Sequence, residues 1–291
     1  MESKLEYEVT TKENVYFVLR LIFSAGLYVL IALGILASFE MENPEIASTV
    51  YLMYIYVILF CVFLFFRFGL IIGHLKGNAI KLSDKQFPEI YENVVKQSEM
   101  LGLKYVPSVY IMQSGGVLNA FASRFLGHNY IVLYSEIVET ALEKDKNILW
   151  FIIGHELGHI KRKHMFKSLL LFPSALIPFL GSAYSRACEN TCDNIGYALC
   201  PAGLKNGLLV LASGKSIYKN VNTDEYLSQI QNESSFWKWL SEKSSSHPHL
   251  TKRLNRFRDE IPTTKVQVEK PKTPEVKPDD HSRFFPKAEV E

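Results

Sequence analysis

The sequence predicts an α+β protein: two apolar N-terminal helices, then a mostly helical domain with a small β-sheet. Three observations carry this. Two long uncharged stretches stand near the N-terminus. Beyond them, apolar residues recur mostly at helical spacing. A few short β-branched or aromatic runs lie between those segments and read as strands.

Leu21–Phe39 is 19 residues without a charged side chain, and Ile46–Phe66 is 21. Each passes the roughly 18 residues needed to span hydrocarbon as a helix. The first is too long for the apolar core of a signal peptide and lacks a clean cleavage site after it, so it is expected to be retained. Lys4, Lys12 and Arg20 precede the first span. Glu40, Glu42 and Glu45 occupy the connecting loop, which has no Lys or Arg, and Arg67, Lys76, Lys81 and Lys85 follow the second span. Both basic flanks lie on one side, which predicts a cytoplasmic N-terminus and a cytoplasmic chain after residue 67. The expected organisation is an anchor over 1–73, a domain over 74–261 and a disordered Pro-rich tail over 262–291.

Net charge is +2, from 32 basic and 30 acidic side chains, so no nucleic-acid partner is expected. Cys61 lies in an apolar span. Cys188, Cys192 and Cys200 lack the spacing of a disulfide framework, and a reducing compartment is the simpler expectation.

Along the domain, Phe87–Leu101 has the apolar spacing of a helix. Ser108–Met112, Tyr130–Leu133 and Asn119–Ser123 read as strands, and Gln113–Gly116 as a turn. Asp145–His164 and Ser185–Cys200 read as helices. A further helix is expected to start at His247-Pro248 and run to about Asp259.

His155-Glu156-Leu157-Gly158-His159 has the pattern H-E-x-x-H. Four residues apart on a helix, both imidazoles share a face and reach one Zn²⁺. Glu156, one step round, is placed to act on a water rather than to ligate. The bland alternative is a polar helix face. Apolar Phe151, Ile152, Ile153, Leu157 and Ile160 surround these groups, and burying two His and a Glu there without a ligand is costly. A third ligand has two candidate sources. Glu189 with Asp193 at i+4 offers a carboxylate ligand and a partner to orient a ligating His. Cys188 and Cys192 with His155 and His159 would instead make a structural His₂Cys₂ site. His164, on a continuing helix, is expected to point away; the six-residue metzincin spacing is not met, and Arg162 stands where that pattern needs Gly.

The chain resembles the HtpX-like and CAAX-prenyl-protease-like membrane zinc metallopeptidases over roughly residues 70–260. The pieces that match, in order, are Asn119-Ala120-Phe121-Ala122, the 155–159 motif, Ser185-Arg186…Glu189…Asp193, and His247-Pro248…Arg253. The resemblance implies a zincin-type metallopeptidase domain holding one Zn²⁺ per chain on His155, His159 and Glu189, with Glu156 as general base. It implies that Asn119 binds substrate backbone on an edge strand formed with Ala120, Phe121 and Ala122. His247 would steady the oxyanion and Arg253 support the site, with Asp193 and Arg186 behind the ligands. Cys192 replaces the Ala that usually precedes the Asp, a small-for-small change.

Ser168–Ser185 is a third uncharged stretch of 18 residues. It lies between His159 and Glu189, which must meet at one metal, so a single crossing is excluded; Pro173 and Pro178 also break a straight helix. A re-entrant, interfacial or hairpin segment is expected. Phe236, Trp237 and Trp239 either line the same interface or form an ordinary core cluster. The expected function is a membrane-anchored zinc endopeptidase acting on membrane or unfolded proteins, with the lipid bilayer and protein or peptide substrates as partners. The alternatives are a narrow processing peptidase for prenylated C-termini and a non-catalytic membrane scaffold with a structural zinc site. The sequence says nothing of oligomeric state.

Overall fold

The computed structural model describes residues 5–113, 115, 119–233 and 235–260. The expected Pro-rich tail and part of the Gln113–Gly116 turn lie outside the described residues. Two helices come first, α1 (Thr11–Ser38) and α2 (Pro44–Asn78). Asn43 starts the second: its Oδ1 accepts from the backbone N–H of Glu45 and Ile46, and Pro44 sits in the first turn, where an N–H has no helical partner. Both helices are long and apolar enough to cross a membrane, with mean hydropathy 2.3 and 2.7 over an 18-residue stretch of each. Their apolar side chains, Ile22 and Leu30 on α1 and Phe63 and Phe66 on α2 among them, face outward rather than into a core. That is the pattern of helices solvated by lipid.

Each helix outruns its uncharged stretch, because Lys12, Glu13 and Arg20 on α1 and Glu45, Arg67 and Lys76 on α2 break the run of hydropathy without breaking the helix. The expected boundary at residue 73 falls inside α2. The last turns of α2 bury Ile72 and Leu75 against Tyr110, Tyr130 and Val132 of the sheet.

The sheet holds β1 (Ile80–Lys81), β2 (Ser108–Met112), β3 (Ala120–Phe125) and β4 (His128–Tyr134), in the order β1-β2-β4-β3. β2 and β4 are parallel; the other two pairs are antiparallel, with Ala122 of β3 opposite Ile131 of β4. Tyr130–Leu133 is buried on both faces of the sheet, which explains its unbroken apolar run. β3 lies at an edge. Between strands stands α3 (Pro88–Met100), and α4 (Ser135–Glu143) follows β4 directly.

The central helix is α5 (Lys146–Lys161), capped by Asp145, whose Oδ1 accepts from the Asn147 N–H. It stops because Lys163 turns left-handed, with φ 57°, and α6 (His164–Leu170) starts in a new direction. A short 3₁₀ turn over Phe172–Leu176 leads to α7 (Leu180–Leu199), which packs beside α5. Ser168–Ser185 therefore holds two helix ends and a turn, with no helix of spanning length. This segment lies along α1: Arg20 Nε donates to Ser174 Oγ at 2.7 Å, Arg20 Nη2 to the Leu171 carbonyl at 2.9 Å, and the Tyr28 hydroxyl to the Leu170 carbonyl at 3.1 Å. Leu169, Phe172 and Leu176 remain exposed on it.

The domain closes with α8 (Leu204–Ser213), α9 (Thr223–Asn232), α10 (Phe236–Ser244) and α11 (Leu250–Asn255). On α10, Phe236, Trp237 and Trp239 are exposed, with Phe236 against each of the other two rings, so they form no core cluster. The fold is the expected one: mostly helical, with a small sheet.

Candidate metal centre

α5 and α7 approach closely because glycine lines their contact. A Cβ on Gly158 would stand 3.2 Å from Cys192 Sγ, and one on Gly196 would stand 3.0 Å from the Phe151 carbonyl oxygen. At this separation the side chains of His155 and His159 on α5 reach Glu189 on α7.

Four donor atoms of three residues converge. His155 Nε2 lies 3.3 Å from Glu189 Oε2, and His159 Nε2 lies 3.3 Å from Glu189 Oε1. The two Nε2 atoms are themselves 3.3 Å apart. Ligand atoms about 2.0–2.2 Å from one tetrahedral zinc ion are about 3.3–3.6 Å from each other. The three spacings, two of them to different oxygens of Glu189, match that size, the N and O donors are those zinc takes, and the residues fit the ion.

Behind His155, Asp193 Oδ1 sits 2.9 Å from Nδ1. Asp193 has no exposed surface and is gripped by Arg253, whose Nη2 donates to Oδ1 at 2.6 Å and Nε to Oδ2 at 2.9 Å. Arg253 Nη1 also lies 3.7 Å from Glu189 Oε2. Burial works against charge on all these groups, yet the pairing wins. His155 is held up at about 10 by Asp193 and Glu189. Asp193 is held down at about 2 chiefly by Arg253, and Glu189 falls well below the usual carboxylate range between the two imidazoles. Burial pushes the Cys188 thiol up to about 12 and Cys192 well up too, which keeps both neutral.

The remaining expected residues gather around the triangle. A cleft of about 320 Å³ is lined by Asn119, Ala120, Phe121, Ala122, His155, Glu156, His159, Glu189, His247 and Arg253. Asn119 Oδ1 accepts from the Ala120 N–H at 2.8 Å, and β3 runs along the cleft. His247 is largely exposed. Its Nε2 is 3.5 Å from Glu189 Oε1, and its Nδ1 is 2.8 Å from Ser246 Oγ. Arg186 stands apart from the triangle: Nη1 donates to the carbonyls of Glu242, Lys243 and Ser245, which fixes the chain that leads to His247. The His155–His159–Cys188–Cys192 combination does not occur among the donor clusters of the described residues.

One residue departs from expectation. His164 does not point away, because α5 ends at Lys161 and the left-handed Lys163 redirects the chain. Its Nδ1 faces His159 Nδ1 at 3.1 Å and its Nε2 faces Glu13 Oε1 of α1 at 3.2 Å. Burial pushes its ring down to about 4. The pairing of Glu13 with Arg162, which donates to it, is not legible in the sequence: 149 residues separate them, and no local pattern joins them.

Residues 82–177 match the profile of peptidase family M48. The matched segment includes Asn119–Ala122 and the 155–159 motif and agrees with the resemblance those motifs carry; Glu189, Asp193, His247 and Arg253 lie beyond it. Among solved structures, the chain is similar to the crystal structure of S. mikatae Ste24p, with 17% identity and a TM-score of 0.47, over 86% of this chain and 67% of that one. No curated protein matches it.

Proposed function

We propose that the protein is a membrane-anchored zinc endopeptidase, with its catalytic domain on the cytoplasmic side, that hydrolyses peptide bonds of membrane or unfolded proteins. The observation that carries this is the triangle of His155, His159 and Glu189 donor atoms at zinc spacing, with Glu156 adjoining it in a cleft bordered by an edge strand. Zinc bound there supplies a Lewis acid that polarises the scissile carbonyl and makes water acidic enough to ionise near neutral pH.

The chain's own residues do the rest. His155, His159 and Glu189 hold the ion, and Asp193 with Arg253 fixes the ring of His155. Glu156 takes the proton of the attacking water and delivers it to the leaving nitrogen. An extended peptide adds beside β3 by main-chain pairing, with Asn119 at the start of the groove. Pairing of that kind reads backbone and tolerates varied side chains, which suits unfolded substrates. His247, exposed at the rim with Nε2 turned inward, donates to the oxygen that gains charge.

The cytoplasmic assignment rests on the Lys and Arg that flank both spans on one side. The membrane supports the substrate class, since a cleft on an anchored domain meets chains near the bilayer first. The test is degradation of an unfolded substrate by the purified full-length protein, with and without chelator. Cleavage that stops on chelation and returns with zinc is expected. A zinc-loaded protein that cuts neither unfolded nor membrane substrates removes the reading.

A further inference from the structure

Glu13 is a carboxylate with no exposed surface, in the first turn of a helix whose later turns are apolar. Burying a charge there is costly unless it is paired. Its Oε1 is paired: Arg162 donates from Nε at 3.0 Å and Nη2 at 2.9 Å, His164 Nε2 lies at 3.2 Å and Lys167 Nζ at 3.8 Å. Just before it, Thr10 clamps α1 to α7. Its N–H donates to Thr191 Oγ1 and its hydroxyl to the Ala187 carbonyl.

Glu13, His164 and Cys188 are close enough together to hold a metal of their own. Arg162 and Lys167 already bring positive charge to that carboxylate, so a second cation would be repelled. The cluster does something else.

The proton positions follow from chemistry. A ring that gives Nε2 to a metal carries its hydrogen on Nδ1. His159 Nδ1–H then faces His164 Nδ1 at 3.1 Å, and that atom must accept. A neutral His164 that accepts at Nδ1 carries its hydrogen on Nε2, which faces Glu13 Oε1. Cys192 Sγ, 3.7 Å from His164 Nδ1, is compatible with an accepting Nδ1.

We propose that Glu13 is a positioning residue of the metal centre: acting through His164, it fixes the tautomer and ring orientation of His159. The anchor helix thereby completes the site. His155 has the matching arrangement without the intervening ring, from Asp193 backed by Arg253, as Glu13 is backed by Arg162. The inference rests on the zinc reading of His155, His159 and Glu189.

The test is zinc affinity by chelator competition on the full-length protein in detergent. Substituting an outer partner of a ligating His usually weakens metal binding about 10–100-fold. Glu13→Gln and His164→Leu are expected to fall in that range. His164→Asn should lie between them and wild type, since its Oδ1 accepts from His159 Nδ1–H but does not reach Glu13. Arg20→Gln loosens α1 from Leu171 and Ser174 without touching the relay and should leave affinity unchanged. Cobalt(II) in place of zinc should show shifted visible bands in Glu13→Gln and unshifted bands in Arg20→Gln. Wild-type affinity in folded Glu13→Gln, or an equal loss in Arg20→Gln, overturns the proposal. If Glu13→Gln does not fold, equal affinities of His164→Asn and His164→Leu overturn it. A wild-type protein that binds no zinc, or still binds it as His159→Ala, overturns the underlying site reading instead.

Discussion

Gly158 on α5 meets Cys192 on α7 so closely that a Cβ on the glycine would stand 3.2 Å from Cys192 Sγ and 3.3 Å from its Cα. The glycine inside the motif thus sets how near His159 comes to Glu189. Gly158→Val should force the helices apart and cost about 1–3 kcal/mol as overpacking. Zinc affinity should fall with it, because the donor triangle opens. Thermal melting with and without chelator reads both. A variant as stable as wild type, with wild-type zinc affinity, would show that the contact does not set the spacing.

Much of this was legible because the signals are local. His155 and His159 share a face by helical periodicity alone, and Glu189 and Asp193 announce themselves as an i,i+4 pair. Tyr130–Leu133 reads as a strand from four consecutive apolar residues. What stayed hidden depends on contacts between distant segments. Glu13 sits in an ordinary polar stretch, and its partners Arg162 and His164 lie 149 and 151 residues away. The turn that brings His164 back is hidden because nothing in Lys161-Arg162-Lys163 signals a left-handed residue. The helices extend past their uncharged cores, since hydropathy ends at Arg20 and Arg67 while helical hydrogen bonding does not.

Arg253 offers a second test. Asp193 is fully buried and its charge is met by Arg253 and His155. Arg253→Met keeps the bulk and strands the carboxylate. Removing one partner of such a pair costs about 3–5 kcal/mol. The companion change Asp193→Leu together with Arg253→Met should recover part of that stability while zinc affinity falls, because His155 then lacks its acceptor. Denaturant melts of the single and double variants give the coupling; simple additivity would contradict it.

The cysteines test the composition of the site. Replacement of Cys188 and Cys192 by Ser should leave one zinc per chain, while His159→Ala should lose it. Metal analysis decides. A metal-free double-cysteine variant that remains folded would favour a structural site built on thiolates.

Topology follows from the same geometry. His159 and Glu189 have atoms 3.3 Å apart, so Ser168–Ser185 returns to the side it left. Reporters fused after Asn43 should read outside, and those after Met100, His164 and Ile230 should read cytoplasmic. Opposite sides for His164 and Ile230 would contradict the packing of α5 on α7.

In the proposed mechanism Glu156 is the general base. It follows His155 on α5, is buried, and lines the cleft beside Asn119 and Glu189. Glu156→Gln keeps the shape of the side chain and leaves His155, His159 and Glu189 intact, so zinc should bind as in wild type. What it removes is a group able to accept a proton. Proton transfer by a placed side chain contributes about 10²–10⁴-fold, and cleavage should fall by that order. The groove along β3 is untouched, so the variant should hold unfolded substrate and co-purify with it. Asn119→Ala and His247→Ala should differ in kind. Both keep the base and the donors, so turnover drops with metal retained, and Asn119→Ala should also weaken substrate capture. Peptide-bond cleavage and zinc content measured on the same sample separate these cases. Zinc-loaded Glu156→Gln cutting at the wild-type rate would remove the base from the mechanism, and zinc loss in that variant would place Glu156 among the ligands instead.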